Sequence, residues 1–494
     1  MKVLLLNVPI AFNEWQNLEM PLGIAYIASV LEKNGHEVFV KDYEVEKLNE
    51  NEMKKEFNNI DPHIVGISFR SSSYGSAKII SSILKEINRN IPIVLGGHHA
   101  TAFPEETLND IESDFIIRGE AESTIVRLVE GLEGKRRLES IKGIVYKSNR
   151  DVIQNGTSDD IEELDLLPFP AWHLFPMERY VVAPILTSRG CPFACIYCDK
   201  GVSNRKVRFR SPENIYEEIV EVERRHKKGK IYFVDDYFSL NKERLLKIFK
   251  LISKDKTLNL EWSCQARVDG VDRDILKLAK KTGCNMIIYG IETGDEEELK
   301  YINKKTTLEQ TEKAVLLTKE SGIKTRANFM IGFPNSTHKT IKNSLKFAKK
   351  LNADIYRFFI VSPLPNTVLW DRVLKKNPEL SKIGWDKFDF YSPCYDTLEL
   401  KKEEISDYVG AAYLYMLKGL LIKEFTIGLL PNVFKLGRLI IKTKRLRGNI
   451  SKSFPVFVNL FLELWFIVKG MGLKERLVYL KKIFILERKI RKDK

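Results

Sequence analysis

Short apolar segments and amphipathic segments alternate over the first 134 residues of the chain. The amphipathic stretches, such as residues 23–34 and 76–88, place apolar side chains at helical spacing. The apolar runs that predict strands are residues 3–8, 37–41, 64–69, 93–95 and 115–117. Strands that alternate with helices in this way pair in parallel, with helices on both faces of the sheet. The pattern therefore predicts an α/β domain with a doubly wound, Rossmann-like parallel sheet.

The same alternation returns after residue 181. Its predicted strands are residues 184–187, 230–234, 261–266, 285–291, 324–331 and 354–361. Six such units predict a partial (β/α)6 barrel of the TIM type, whose active site lies at the carboxyl ends of its strands.

The segments around these two regions complete the predicted domain organisation. A hairpin pattern surrounds residues 149–151, and residues 164–180 form a connector with three prolines. The pattern becomes helical after residue 401. The predicted domains are therefore residues 1–135, a hairpin and linker at 136–180, a barrel at 181–400, and a helical region at 401–494.

The charge of the chain is concentrated at one end. Residues 421–494 hold 18 Lys and Arg against 5 Asp and Glu, which accounts for 13 of the net charge of +14. This distribution is not that of a uniformly basic nucleic-acid-binding surface, so we expect no nucleic-acid partner. Basic and apolar residues alternate over residues 429–447, where amphipathic helices could lie on an anionic membrane surface or pack as a cap on the barrel.

Targeting and membrane signals are weak. The amino-terminal apolar stretch is too short for a secretory signal, and the longest apolar stretch, residues 454–468, carries Glu463 at its middle. The six cysteines do not form a disulfide pattern, which fits a reducing compartment. We therefore expect a cytoplasmic protein, with the inner membrane surface as an option for the basic helices.

Three of the cysteines, Cys191, Cys195 and Cys198, follow the first barrel strand closely. Cysteine thiolates hold iron-sulfur clusters, and a four-iron cluster needs four ligands, so three cysteines on one loop leave one iron open. The alternative is a structural zinc site, which usually takes its four ligands as two pairs. No second pair is present, and Cys264 and Cys284 read as small apolar strand residues.

This cysteine run resembles the signature of the radical S-adenosylmethionine superfamily. The resemblance implies a [4Fe-4S] cluster whose open iron binds the amino and carboxylate groups of S-adenosylmethionine. It also implies reductive cleavage of that cofactor to a 5'-deoxyadenosyl radical, with electrons from a donor of the flavodoxin or ferredoxin type. Carried over by position, the residues expected at this cofactor are Tyr197, Asp235, Arg267, Glu292, Asn328 and Gly332.

The first 135 residues resemble the cobalamin-binding domain found ahead of many radical S-adenosylmethionine proteins. Open parallel sheets bind ligands beyond the carboxyl ends of their strands, where glycine lets the backbone approach a bulky ligand. The residues expected at cobalamin are Pro21, Leu22, Gly23, Ser68, Gly96, Gly97, His98, Gly119 and Glu120. His63 sits in a run, residues 61–66, that matches a cobalt-ligand motif, but it precedes the third strand and so falls at the wrong end of the sheet.

Together the two resemblances imply a methyltransferase that methylates an unactivated carbon of a small-molecule or lipid-like substrate. Two alternatives stay open at this point. Relatives with the same two domains close or rearrange rings without methyl transfer. A cobalamin-binding sensor without turnover is the third option, although the complete cysteine triad argues against it.

Overall fold

The computed structural model describes residues 1–10, 19–149, 151–199, 205–226 and 229–425. The predicted basic helices around residues 429–447 therefore lie outside the described residues. The chain divides into two compact units. The first comprises residues 1–288, 317–323 and 363–389, and the second comprises residues 289–316, 324–362 and 390 onward.

A seven-stranded sheet forms the amino-terminal part of the first unit. Its strands are β1 (Lys2–Asn7), β2 (Glu37–Asp42), β3 (Ile64–Ser68), β4 (Ile93–Gly96), β5 (Phe115–Ile117), β6 (Ile144–Ser148) and β7 (Asp151–Gln154). The strand order is β2-β1-β3-β4-β5-β6-β7, with parallel pairing up to β5 and antiparallel pairing beyond it. The predicted hairpin is thus β6 and β7, and it extends this sheet past residue 135.

Helices cover the sheet. They are α1 (Leu22–Lys33), α2 (Tyr43–Glu46), α3 (Glu50–Ile60), α4 (Tyr74–Ile87), α5 (His98–Ala102), α6 (Pro104–Asp110) and α7 (Glu122–Leu132). The central strands are continuous apolar runs because both of their faces are buried. Val3, Leu4, Leu5 and Leu6 of β1 are all at most 4% exposed, and Ile80 and Leu84 of α4 are fully buried in the core.

The second sheet has six strands in the order β15-β14-β13-β12-β11-β8, and a short ladder of β9 and β10 lies beside it. These strands are β8 (Ala183–Ile185), β9 (Ser188–Arg189), β10 (Arg208–Phe209), β11 (Lys230–Phe233), β12 (Glu261–Ala266), β13 (Cys284–Glu292), β14 (Lys324–Ile331) and β15 (Ile355–Ile360). The pairs β8–β11, β11–β12 and β14–β15 are parallel.

Helices follow these strands as in a (β/α) barrel. They are α8 (Pro212–His226), α9 (Lys242–Lys254), α10 (Arg273–Lys281), α11 (Glu296–Tyr301), α12 (Leu308–Glu320), α13 (His338–Leu351), α14 (Val368–Lys376) and α15 (Lys402–Phe425). A parallel-rich sheet followed by six barrel strands confirms the predicted fold class. No described helix has both the length and the apolar character needed to cross a membrane.

The topology sets where ligands can bind. In both sheets the loops that the sequence singles out follow the carboxyl ends of parallel strands, which is the edge where such folds hold ligands. His63 directly precedes β3 and accepts a hydrogen bond from the Lys2 backbone N–H at 2.9 Å. It lies at the amino-terminal edge of the first sheet, away from those loops.

Candidate active site

The cysteine loop leaves the carboxyl end of β8 through β9. Gly190 turns the chain with a φ of +88°, a left-handed conformation that favours glycine. Cys191 is buried, Cys195 is half-buried and Cys198 is exposed, and all three are free thiols. The backbone N–H of Cys198 donates to the Cys195 carbonyl at 3.2 Å, which closes a turn between the last two cysteines.

The donor set of this loop fits a cluster better than a single metal ion. Among the described residues, no three Cys, His, Asp or Glu side chains converge closely enough to hold one ion. With Zn–S bonds of about 2.3 Å, the sulfurs around one zinc ion must lie within about 4 Å of one another. In a cluster each cysteine binds a different iron, so three thiols can be spaced along a loop.

Asp235, which follows β11, fixes the segment just ahead of the cysteine loop. Its carboxylate is buried and accepts hydrogen bonds from the Thr187 backbone N–H at 2.6 Å, from the Thr187 hydroxyl and from the Ser188 hydroxyl. Burial raises the pKa of Asp235, while these hydrogen bonds oppose the rise. Asp235 therefore orients the chain that enters the cysteine loop, a role that sequence position alone did not indicate.

Arg267, at the carboxyl end of β12, supports the cysteine loop itself. Its guanidinium donates twice to Asp269, at 2.9 Å each, and lies 3.6 Å from the centre of the Phe193 ring. Phe193 stands between Cys191 and Cys195. This cation–π contact therefore fixes the middle of the loop. Burial would lower the pKa of Arg267, but the hydrogen bonds and charge of Asp269 hold it above its usual value.

The far side of the loop is also fixed. The Leu369 backbone N–H, in the first turn of α14, donates to the Ile196 carbonyl at 2.9 Å. Tyr197, the aromatic residue expected at adenine, is half-buried beside this contact in sequence. Tyr197, Asp235 and Arg267 all belong to the first unit, and Asp235 and Arg267 contact the cysteine loop or the segment that enters it.

Glu292 lies in the second unit, at the carboxyl end of β13. It is 8% exposed, has a φ of +68°, and its Oε1 lies 2.7 Å from Nζ of Lys304. A side chain at Gly290 would meet this carboxylate, because an added Cβ would lie 2.4 Å from Oε1. Left-handed backbone at a non-glycine residue is strained, and such strain is concentrated at functional sites. Lys304 had no signal in the sequence that would have marked it as a partner.

The loop after β13 is held by a buried carboxylate. Glu298 accepts hydrogen bonds from Thr293, Ser336 and Thr340, and burial raises its pKa. These contacts join the loop after β13 to the loop after β14, still within the second unit.

The last two residues expected at S-adenosylmethionine are Asn328, within β14, and Gly332, directly after it. Asn328 accepts a hydrogen bond from Arg326 Nε at 3.2 Å. Gly332 has a φ of +100°, and its carbonyl accepts a hydrogen bond from the buried Tyr395 hydroxyl at 2.6 Å. Nearby, the buried Asn335 Oδ1 is one of the few polar atoms in the described chain without a hydrogen-bond partner.

The first sheet presents a glycine-lined edge. An added Cβ at Gly23 or Gly96 would meet no atom within 4 Å, so open space lies beside both. Gly97 has a φ of +99°, and an added Cβ there would lie 2.4 Å from the Phe69 carbonyl oxygen. Pro21 caps α1, Leu22 begins it, and Ser68 ends β3 at the same edge. This open, glycine-lined cradle at three neighbouring strand ends fits a bulky ligand such as cobalamin.

Two adjacent histidines follow β4. His98 is about half-exposed, and its Nδ1 lies 3.0 Å from Oδ2 of Asp199, the residue after Cys198. His99 is buried, shares a hydrogen bond with the Ser71 hydroxyl at 2.9 Å, and has an Nε2 without a partner. Burial lowers the pKa of His99 to about 4. His98 thus joins a loop of the first sheet to the cysteine loop, whereas His99 packs inside.

The carboxylate of the loop after β5 binds other groups of the protein. Gly119 has a φ of +87°, and an added Cβ would lie 2.7 Å from the Ser158 hydroxyl. Glu120 accepts hydrogen bonds from Arg208 at 2.6 and 2.9 Å and from the Ile161 backbone N–H at 2.9 Å, and lies 3.3 Å from Arg189. The Glu120 side chain is therefore fully engaged by protein groups, and its arginine partners were not predicted.

Two family descriptions match the chain. Residues 10–129 match the B12 binding domain, and residues 185–348 match the Radical SAM superfamily. An uncharacterized methyltransferase from Pyrococcus horikoshii is 34% identical over 82% of this chain and 89% of its own length. An anaerobic magnesium-protoporphyrin IX monomethyl ester cyclase from Rubrivivax gelatinosus is 28% identical over 82% of this chain and 75% of its own.

The fold also matches a solved structure. The radical S-adenosylmethionine methyltransferase TsrM from Kitasatospora setae, solved with cobalamin and a [4Fe-4S] cluster bound, superposes with a TM-score of 0.67. The match covers 76% of this chain and 78% of TsrM at 19% identity. It supports the two-domain fold described above.

Proposed function

The chain belongs to the cobalamin-dependent radical S-adenosylmethionine methyltransferases, and from this premise we propose that it methylates an unactivated carbon of a small molecule. One observation carries the proposal. Within the first unit, His98 of the glycine-lined edge lies 3.0 Å from Asp199, directly after the third cysteine. The loops expected to hold cobalamin and the cluster therefore meet.

The residues fall into three groups by what they would hold. Cys191, Cys195 and Cys198 would bind three irons of a [4Fe-4S] cluster. Gly23, Gly96 and Gly97 would face cobalamin, and Glu292 would accept hydrogen bonds from the ammonium or ribose of S-adenosylmethionine. When bound, the cluster and S-adenosylmethionine supply one-electron chemistry at carbon, and cobalamin supplies a transferable methyl group.

The chain's own contribution is positioning. Asp235 holds the segment entering the cysteine loop, and Arg267 holds the middle of that loop through Phe193. Lys304 holds one oxygen of the Glu292 carboxylate at 2.7 Å. Groups held by fixed partners need no rearrangement at the moment of reaction, which is how a protein lowers a barrier by preorganisation.

Members of this family act on small molecules and need an external reductant. For this chain we propose a lipid-like substrate and a donor of the flavodoxin or ferredoxin type in the cytoplasm. The basic segment at residues 429–447 supports contact with an anionic membrane surface, where such a substrate would be found. Flotation with anionic liposomes tests this: binding by the full chain and not by a chain ending at residue 421 supports it, and no binding by either contradicts it.

Product analysis tests the methyl transfer. The full chain is reconstituted without oxygen with iron, sulfide and hydroxocobalamin, then given reductant, S-adenosylmethionine with a deuterated methyl group, and polar and lipid extracts. We expect 5'-deoxyadenosine together with S-adenosylhomocysteine, and the label in a new carbon–carbon bond of one compound. Absence of both nucleoside products, with no corrinoid retained, would contradict the proposal.

A second function is favoured by one observation. The cyclase from Rubrivivax gelatinosus matches most of this chain. Ring closure would give 5'-deoxyadenosine without S-adenosylhomocysteine, and no deuterium would enter the product. The same experiment therefore separates the two.

A further inference from the structure

A buried cluster of four charges joins the loop after β5 to the β9–β10 ladder. Glu120 and Glu122 supply the carboxylates, and Arg189 and Arg208 supply the guanidinium groups. The side chains of all four are at most 10% exposed. Arg189 lies 2.5 Å from Glu122 and 3.3 Å from Glu120, and Arg208 lies 2.6 Å from Glu120.

The pairing of the two arginines explains why an acid must sit here. Arg189 and Arg208 are direct partners in the antiparallel ladder, where like charges destabilise each other. Buried charges are tolerated only when they are paired and hydrogen-bonded. Burial would raise the pKa of Glu120, but Arg208, Arg189 and the Ile161 N–H together hold it below its usual value. Glu120 is thus an ionised partner for both arginines.

The cluster of four buried charges lies where the two predicted cofactor loops begin. Arg189 is two residues before Cys191, and Glu120 follows Gly119 in the loop expected at cobalamin. A further contact between these loops, His98 with Asp199, is about half-exposed at the histidine. An exposed pair contributes little to stability, so the buried cluster is the stronger connection.

We propose that Glu120 and Arg189 are positioning residues that set the separation between the iron-sulfur cluster and cobalamin. This inference rests on the proposed function, since it assumes that both cofactors occupy these loops. Cleavage of S-adenosylmethionine does not need the loop expected at cobalamin, whereas methyl transfer needs that loop and the cysteine loop in register. Loss of the buried cluster therefore separates the two activities.

The test measures the separation directly in the holoenzyme. Cob(II)alamin and the one-electron-reduced cluster are both paramagnetic, so pulsed electron paramagnetic resonance reports the dipolar coupling between them. We expect one narrow distance distribution in the wild type, and a longer or broader one in Glu120→Gln and Arg189→Met. Iron and corrin contents are measured in the same samples, so that only doubly loaded protein is compared.

A second measurement follows the products. Displacements of about 1 Å can cost a hundredfold in rate, so the ratio of 5'-deoxyadenosine to S-adenosylhomocysteine should rise at least about tenfold in these two variants. Arg189→Lys keeps the charge but loses the planar fork, and should fall between wild type and Arg189→Met in both measurements. It also keeps the inference testable if Arg189→Met does not fold.

The matched control is Glu218→Gln. Glu218 forms another buried pair, with Arg210, but that pair does not involve the loop after β5. This variant loses a comparable interaction and should keep the wild-type distance. An unchanged distance in doubly loaded Glu120→Gln, or the same shift in Glu218→Gln, overturns the inference. A wild type that binds both cofactors at one distance but transfers no methyl group overturns the proposed function and leaves this inference standing.

Discussion

The carboxyl-terminal edges of the two sheets differ in their use of side chains. In the first sheet glycines stand at several strand ends: Gly23 and Gly96 face open space, and Gly97 and Gly119 take left-handed conformations, while buried charges follow only β5 among the strand ends considered. The second sheet places charged side chains at its strand ends and buries them, as with Asp235, Arg267 and Glu292. The difference teaches that one edge offers open space beside its strand ends, whereas the other offers charged groups whose positions are set by partners.

The two solutions also differ in what they demand from the rest of the chain. A glycine edge needs no partner groups, and at Gly97 and Gly119 it needs only a left-handed backbone that favours glycine. A buried charge must have a partner, because an unpaired one is very costly. Each charge at the second edge has such a partner: Thr187 and Ser188 for Asp235, Asp269 for Arg267, and Lys304 for Glu292.

The largest effect should come from the cysteines, the least replaceable part of the second edge. In Cys195→Ala we expect reconstitution to leave iron and sulfide at the background level and S-adenosylmethionine cleavage to be abolished, because each cysteine binds its own iron. Anaerobic iron and sulfide analysis checks this. Cys284→Ala, which removes a buried thiol at the start of β13, should keep its cluster. Full iron content in Cys195→Ala would contradict the assignment.

The next prediction tests the open space beside the glycines at the first edge. Gly96→Leu should fold as the wild type does, because its Cβ meets no atom, yet weaken cobalamin binding about a hundredfold, or about 2.7 kcal/mol. Anaerobic titration with hydroxocobalamin measures this. Gly35→Ala, at a φ of +79° in the turn before β2, should lose about 1 kcal/mol of stability and keep its cobalamin affinity. Equal cobalamin affinity in Gly96→Leu and the wild type would contradict the proposal that the glycine-lined edge binds cobalamin.

His99 is a buried histidine at the first edge, and it should make stability depend on pH. Its folded pKa of about 4 lies below the ordinary value of 6.5, so the unfolded chain takes up the proton first as pH falls. The stabilisation is complete above pH 6.5 and is lost towards pH 4, with roughly 2 kcal/mol gone by pH 5. Urea unfolding at pH 7 and pH 5 should show this difference between wild type and His99→Phe. Identical pH dependence in both proteins would be evidence against it.

The smallest effect concerns a partner at the second edge. Lys304→Met removes the lysine that pairs with the buried Glu292 carboxylate, and we expect S-adenosylmethionine to bind about tenfold more weakly, or about 1.4 kcal/mol. Anaerobic calorimetry on the cluster-loaded protein measures the affinity. Lys300→Met removes an exposed lysine of α11 that pairs with Glu297, and should change nothing. If both variants bind the cofactor equally well, Lys304 does not act through Glu292.

The sequence predicted the strands more accurately than the partners. The bounds of β5, β12 and β14 agree with the predicted ranges, since strands buried on both faces are continuous apolar runs. The ladder of β9 and β10 was missed because two residues per strand carry no periodicity. Periodicity also does not say where a hairpin pairs, so the continuation of the first sheet into β6 and β7 was not predicted.

The candidate residues followed the same division. Residue type and strand-end position are the grounds on which Glu292, Arg267 and the glycines are predicted as site residues, and their roles stay predictions. Arg208 pairs with Glu120, which is 88 positions away in the chain. Because this pairing depends on how the loops pack, it could not be predicted from residue spacing. Nothing in the sequence singles out Phe193 among the loop aromatics; its role depends on the Arg267 guanidinium that lies over its ring.

The two-residue ladder has one more consequence. By pairing Ser188 with Phe209, it closes the segment that carries all three cysteines into a loop with both ends held together. Closing a segment of this length costs about 3 kcal/mol of chain entropy. The ladder therefore holds the two ends of the cysteine-bearing segment side by side.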